Sequence, residues 1–327
     1  MNGKWIKFKG KFWAVLIFNV LIIYGLATWF MQNVHVRTLW HDITKVHASS
    51  LLLIGCLNFL VAVFYAFRLV QLLQINYKMA FKLICIGNGL NHVLPFRLGD
   101  VTRIFYAKQH YQIPVDRFVA ATIIERYCDL VLLLSIGLFF LFGGHEYYDA
   151  SLIIFLMILL ICAVITLFFY RSMIMGQGKI RQWLDTLPVI SSIIEQLSQM
   201  LVAKNKSLIL VISGAIWLST VLIYYAFFSI NLSGMVAVSF SAATILCLTT
   251  TLAFAIPYMI AGIGVFESVI YYYLIHFLHV APTEAVALAL VFHCMLALPQ
   301  IALMMGVLAW NRIPNFMSVW RRRSKIV

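Results

Sequence analysis

Apolar runs about as long as a bilayer is thick dominate this chain. Phe12–Phe30, Leu51–Leu73, Leu130–Phe142, Leu152–Tyr170 and Leu208–Ile230 approach or exceed the length of a helical crossing, which takes roughly 20 residues. A helix that is apolar all round needs lipid or protein on every side. With 63% hydrophobic and 11% charged residues, nothing is left that could build a separate soluble domain. The expected fold is an all-α polytopic membrane protein. The first run exceeds the apolar core of a signal peptide, and no small-residue cleavage site follows it, since Ala27 and Thr28 lead into Trp29, Phe30 and Met31. It reads as a retained anchor.

Charge placement sets the orientation. Lys4, Lys7, Lys9 and Lys11 precede the first run, and Arg312, Arg321, Arg322, Arg323 and Lys325 follow the last, in a chain of net charge +13. Basic flanks stay cytoplasmic and lie against anionic head groups. Both termini are therefore expected in the cytoplasm, with the protein in the cell inner (plasma) membrane. No basic segment has the length or aromatic interleaving of a nucleic-acid site, so no nucleic-acid partner is expected.

Spans are expected at about 12–30, 50–73, 118–142, 151–170, 207–230 and 284–311. The loop "GGHEYYD" reads as external, and the amphipathic piece 177–203 as lying on the cytoplasmic surface. Two apolar pieces fit a crossing poorly. The stretch 79–96 is short, broken by glycine and asparagine, and flanked by basic residues at both ends. It reads as part of a re-entrant hairpin at about 79–114. The run 242–278 is interrupted by Pro257, Gly262 and Gly264. It is either a second hairpin, entering from outside, or two full crossings, and charge allows both. With two hairpins the chain has about six crossings. Its halves, 1–150 and 151–327, each then run span, span, broken hairpin, span from opposite sides, an inverted repeat. Paired interrupted segments in opposed halves point to a transport site near the midplane.

A charge near the centre of a membrane helix costs about 2.5–3.5 kcal/mol on insertion scales, so the charges that remain there carry information. "IIERYCDLVLLL" puts Glu125, Arg126 and Asp129 in the third span. Glu125 and Asp129 share a face, and Arg126 is spaced to pair with Asp129. Two acids then face one base, so a second cation comes from elsewhere or one acid holds a proton. Arg97 and Arg103, in "NHVLPFRLGDVTR", are the natural suppliers, and their planar forks suit phosphate as well as carboxylate. In that segment Pro95 and Gly99 are expected to break the helix, Asp100 to cap a helix restarting at Val101, and Asn88 and Asn91 to bond exposed amides. Freed backbone groups require a wet cavity rather than lipid.

Glu267 is the lone acid of the second break. It is either a proton or cation site, or an arginine's partner, or an acid stabilised by the helix start after Gly264. His293 reads as a satisfied bundle histidine. The acids and arginines together are either a self-neutralising staple between helices or a binding site. No nucleophile motif, phosphate loop or metal-ligand spacing occurs, and the six cysteines are scattered through apolar segments. No catalytic residue, metal or cofactor is expected.

The segments "NHVLPFRLGDVTR", "ATIIERYCD" and "IPYMIAGIGVFE" together resemble the flippase-like membrane domain of lysylphosphatidylglycerol synthases and its stand-alone inner-membrane relatives. That pattern runs N-x-x-L-P-G-R-x-G-E-x-x-R, then E-R-x-x-D, then P-x-x-P-G-G-x-G-x-x-E. Asn91, Pro95, Arg97, Gly99, Asp100, Arg103, Glu125, Arg126, Asp129, Pro257, Gly262, Gly264 and Glu267 fall on its positions. Phe96 and Ala261 replace glycines, Ile260 replaces a proline, and Asp100 stands for the usual glutamate.

The resemblance implies movement of a lipid or lipid-linked sugar between leaflets, without the aminoacylating soluble domain of the synthases. The expected function is therefore a translocase for an anionic phospholipid or polyprenyl-phosphate glycan. Arg97, Arg103 and Arg126 would bind the head group, with Asp100, Glu125, Asp129 and Glu267 as counter-charges or proton sites. The rival expectation is a non-catalytic accessory subunit partnering a glycosyltransferase or another envelope-synthesis enzyme. An intramembrane lipid-modifying enzyme is the weakest reading, because the nucleophile motif is missing.

Overall fold

The computed structural model describes residues 36–142, 188–202, 206–254 and 262–323, with Gly25 and Thr28 besides. The spans expected at 12–30 and 151–170, the acidic loop at 143–149, and Pro257, Ile260 and Ala261 lie outside the described residues.

Every regular element among the described residues is helical. In chain order these are α1 (Val36–Thr44), α2 (Ala48–Leu73), α3 (Tyr77–Asn91), a 3₁₀ turn at Pro95–Arg97, α4 (Leu98–Tyr111), α5 (Val115–Phe142), α6 (Pro188–Val202), α7 (Lys206–Asn231), α8 (Phe240–Phe254), α9 (Val265–His276) and α10 (Pro282–Arg323). Three of them, α2, α7 and the Pro282–Trp310 part of α10, are long and apolar enough to cross a membrane. In the most apolar window of α2 only 33% of the residues are buried inside the protein. Leu52, Phe59 and Phe67 stand exposed on it, as do Leu210, Val211 and Leu218 on α7. Apolar surface of this extent is stable against lipid, not water.

The chain forms two compact units. One draws on Met1–Leu60, Cys85–Thr102 and Thr220–Val327, the other on Val61–Ile84 and Arg103–Ser219. In the first, α9 packs on α8 and α10, and α10 packs on α1. Its centre is aromatic: Phe292 lies against Tyr224, Phe227 and Phe228, with ring centroids 4.7, 4.7 and 5.1 Å away. In the second unit α6 packs on α5. Its core joins Leu69, Leu83, Phe118, Ile124, Leu197 and Ile209.

Four local features depart from or refine what the sequence suggests. The segment between the first two expected spans contains the helix α1. After the first break the chain re-enters a helix at Leu98, not Val101, so Asp100 lies inside the first turn of α4. Its amide donates to Asn91 Oδ1 at 3.3 Å, which gives Asn91 the capping role expected of Asp100. Gly99 also sits inside α4, where its lack of a side chain lets two backbones meet: a Cβ there would lie 2.1 Å from the Gly87 carbonyl oxygen.

The turn itself is made by Phe96 and Arg97, both left-handed, at φ 59° and 52°. Phe96 keeps the backbone conformation that glycine adopts without strain. At the second break Gly262 (φ 74°) and Gly264 (φ 92°) are left-handed too, and α9 starts directly after them.

The last span carries a proline in its interior. Pro299 has no N–H, so the Met295 carbonyl one turn earlier lacks its helical donor. The side chain of Asn58, buried in α2, supplies one: Nδ2 lies 3.3 Å from Met295 O and 3.2 Å from Ile54 O.

Candidate functional site

The charged residues singled out from sequence fall, among the described residues, into two groups, one in each unit. The second unit's cluster is built on α5. Spacing of three and four residues puts Glu125, Arg126 and Asp129 along one side of that helix, as the periodicity requires. Glu125 receives Arg103 of α4, with Nη2 2.8 Å from Oε2. Both residues are 2% exposed. Arg103 also lies over the Phe118 ring, 5.6 Å from its centroid.

Asp129 receives Arg68 of α2 through a two-pronged contact, Nη1 to Oδ1 at 2.7 Å and Nη2 to Oδ2 at 3.2 Å. Arg68 is wholly buried, donates to Ser213 Oγ of α7 at 3.1 Å, and lies 5.0 Å from the Tyr65 ring centroid. Arg126 reaches the same Asp129 carboxylate at 3.8 Å, but its side chain is 41% exposed. Glu125 Oε1 is buried and meets no hydrogen-bond donor among the described residues. Leaving such an oxygen unsatisfied costs about 1–3 kcal/mol, so it invites a hydrogen-bond donor.

The first unit's cluster joins the two breaks. Asn91 Nδ2 donates to Asp100 Oδ1 at 3.3 Å, closing a reciprocal pair with the amide contact described above. His92, in the turn after α3, lies within electrostatic range of Arg97 and of His293 on α10. Glu267 takes the third position of α9. Its Oε2 accepts the Gly264 N–H at 2.7 Å and its Oε1 faces His293 Nδ1 at 2.5 Å. The His293 ring packs on Phe266, centroids 4.8 Å apart. Among the described residues no group of His, Cys, Asp and Glu has the makings of a metal site.

A family model of the lysylphosphatidylglycerol synthase TM region matches residues 16–303. The chain belongs to that family. No curated protein and no solved structure matches it.

For a member of the lysylphosphatidylglycerol synthase TM region family, the geometry divides the residues singled out from sequence. Arg103, Glu125, Arg126 and Asp129 come together in one unit; Asn91, Arg97, Asp100, Gly262, Gly264 and Glu267 belong to the other. Of the two suggested cation suppliers, Arg103 is the one that meets Glu125, while Asp129 takes a cation not singled out from the sequence, Arg68. The signal was present: Arg68 lies inside the apolar run Leu51–Leu73 rather than beyond it, where an arginine is costly unless paired. His92 was passed over as well, and His293 was read as a bundle residue without its carboxylate partner.

Proposed function

We propose that this protein is an integral membrane translocase, not an enzyme, that moves an anionic lipid between leaflets. The substrate class is an anionic phospholipid or a polyprenyl-phosphate glycan. In this reading the protein sits in the cell inner membrane with both termini cytoplasmic, about six crossings, and the broken helix pairs α3–α4 and α8–α9 as re-entrant hairpins. Membership of the lysylphosphatidylglycerol synthase TM region family supports a lipid-related role.

The observation that carries the reading is the unequal hold on the arginines around Asp129. Arg68 is buried and grips both carboxylate oxygens. Arg126 reaches the same carboxylate at 3.8 Å with 41% of its side chain exposed. Breaking a buried pair costs about 3–5 kcal/mol, whereas an exposed pair holds with about 0–1 kcal/mol. A phosphate can therefore compete with Asp129 for Arg126 while Arg68 keeps Asp129 in place. Arginine's fork suits that exchange, because it matches phosphate and carboxylate equally. In the other unit Arg97, exposed at the tip of the first break, offers a second anion ligand.

The test is leaflet exchange of a fluorescent phosphatidylglycerol in vesicles of phosphatidylethanolamine and phosphatidylglycerol. Exchange faster with the native protein than with Arg126→Ala, at equal reconstitution, supports the reading. Equal rates for the two, or no exchange above empty vesicles, overturn it and favour an accessory role in envelope synthesis.

A further inference from the structure

We propose that Glu267 and His293 form a proton-carrying pair, and that lipid movement is coupled through it to a proton gradient; this rests on the translocase reading above. The pair sits at the second break and is largely shielded, with His293 and Glu267 side chains 7% and 19% exposed. Glu267 is fixed from both ends. The Gly264 N–H holds Oε2, and the imidazole faces Oε1 at 2.5 Å. A carboxylate accepting a backbone amide is held against turning away when its partner titrates, so a proton gained or lost is felt largely as charge.

The pair carries either one proton, as neutral imidazole and carboxylate, or two, as imidazolium and carboxylate. Its net charge is then −1 or 0. In a shielded site that step is not screened as it would be in water. The first break lies close enough to feel it, because His92 there is within electrostatic range of both His293 and Arg97. A proton on His293 makes the potential at that tip more positive and so favours an anion held there by Arg97. By linkage the anion favours the proton to the same degree. Proton and anionic head group therefore bind together, and the coupling has a sign: both move in the same direction.

Among the described residues, α9 itself also carries Tyr271, Tyr272, Tyr273 and His276. Cys294, the next residue on α10, lies within electrostatic range of Glu267. The helix α8, packed on α9, has no charged residue; its titratable group, Cys247, is buried. Glu284, in the first turn of α10, lies within electrostatic range of Asp42 and Lys45. That is nine residues before His293, about 13 Å along a helix. On the first break, Asp100 is engaged by Asn91.

The experiment uses the full-length protein in the vesicles described above, with a trace of fluorescent phosphatidylglycerol, a trapped pH dye and an imposed gradient of one pH unit. The native protein is expected to accumulate label in the leaflet facing the alkaline compartment, by up to about tenfold for one proton per lipid, while the dye reports proton entry on that side. His293→Gln keeps a donor facing Glu267 but cannot titrate. With it, and with Glu267→Gln, label distribution is expected to ignore the gradient. Glu267→Asp, which keeps the carboxylate, is expected to retain part of the response, and it stands in if Glu267→Gln fails to elute as a folded species.

Native exchange that ignores the gradient, without a dye signal, overturns the coupling and leaves the translocase standing. Accumulation on the acidic side, or a full response in both His293→Gln and Glu267→Gln, overturns the assignment. Absence of exchange under every gradient overturns coupling and translocase together.

Discussion

Arg68 grips both carboxylate oxygens of Asp129, at 2.7 and 3.2 Å, across 61 residues of chain. Of the two, Arg68 is wholly buried and Asp129 is 14% exposed. Removing one partner strands a buried charge, so Arg68→Leu and Asp129→Asn are each expected to cost about 3–5 kcal/mol. Replacing both by apolar residues of similar volume, Arg68→Met with Asp129→Leu, removes both desolvation costs and is expected to recover most of the loss. Thermal unfolding of the four proteins in detergent checks this. A double variant as unstable as the sum of the singles contradicts it.

The two glycines Gly99 and Gly55 separate a close approach from open space. A Cβ at Gly99 would lie 2.1 Å from the Gly87 carbonyl oxygen and 2.7 Å from the Asn91 amide nitrogen, whereas one at Gly55 would meet nothing within 4 Å. Gly99→Ala must therefore push α3 and α4 apart, an overpacking cost of about 1–3 kcal/mol. Gly55→Ala is expected to stabilise slightly, by up to about 1 kcal/mol from helix propensity. Urea or thermal unfolding in detergent distinguishes them, and the reverse order rules out the close approach.

How far the sequence led can be followed at particular residues. The long helices α2 and α7 match expected spans to within two residues, because apolar length is a local property. The break after Asn91 and the glycines before α9 were legible because proline and glycine act on their own backbone. The pairing Arg103–Glu125 was among the options, since the two lie close in sequence and one needed the other. Arg68–Asp129 and Glu267–His293 were not legible. Each partner comes from a different helix, and which helices meet depends on packing rather than on any spacing. Gly99 was read as a breaker for a similar reason: nothing local shows that another backbone will lie against it.

Asn58 and Pro299 make a third case. The side chain of Asn58 donates to the carbonyl of Met295, which Pro299 leaves without its helical donor. Asn58→Leu strands that carbonyl and is expected to cost about 1–3 kcal/mol. In a Pro299→Ala background the helix supplies its own N–H, so the same Asn58→Leu change is expected to cost much less. The double-mutant cycle, followed by thermal unfolding, reads a coupling of about 0.5–3 kcal/mol if the two residues serve one carbonyl. Additive losses show that they do not.

Phe96 tests the turn between α3 and α4. Its φ of 59° is one that a side chain with a Cβ holds only under strain, worth about 1–2 kcal/mol. Phe96→Gly removes that strain but gives up about 0.5–1 kcal/mol to the freer unfolded chain, along with the contacts of a half-buried ring. The net change is expected to be small. Phe96→Ile loses the ring and keeps the strain, and branching at Cβ makes left-handed backbone harder to hold. Stability should therefore fall in the order Phe96→Gly, then Phe96→Ile, with the two separated by about 1–2 kcal/mol in thermal unfolding. Equal stability of the two variants is the result that excludes a left-handed residue at this position.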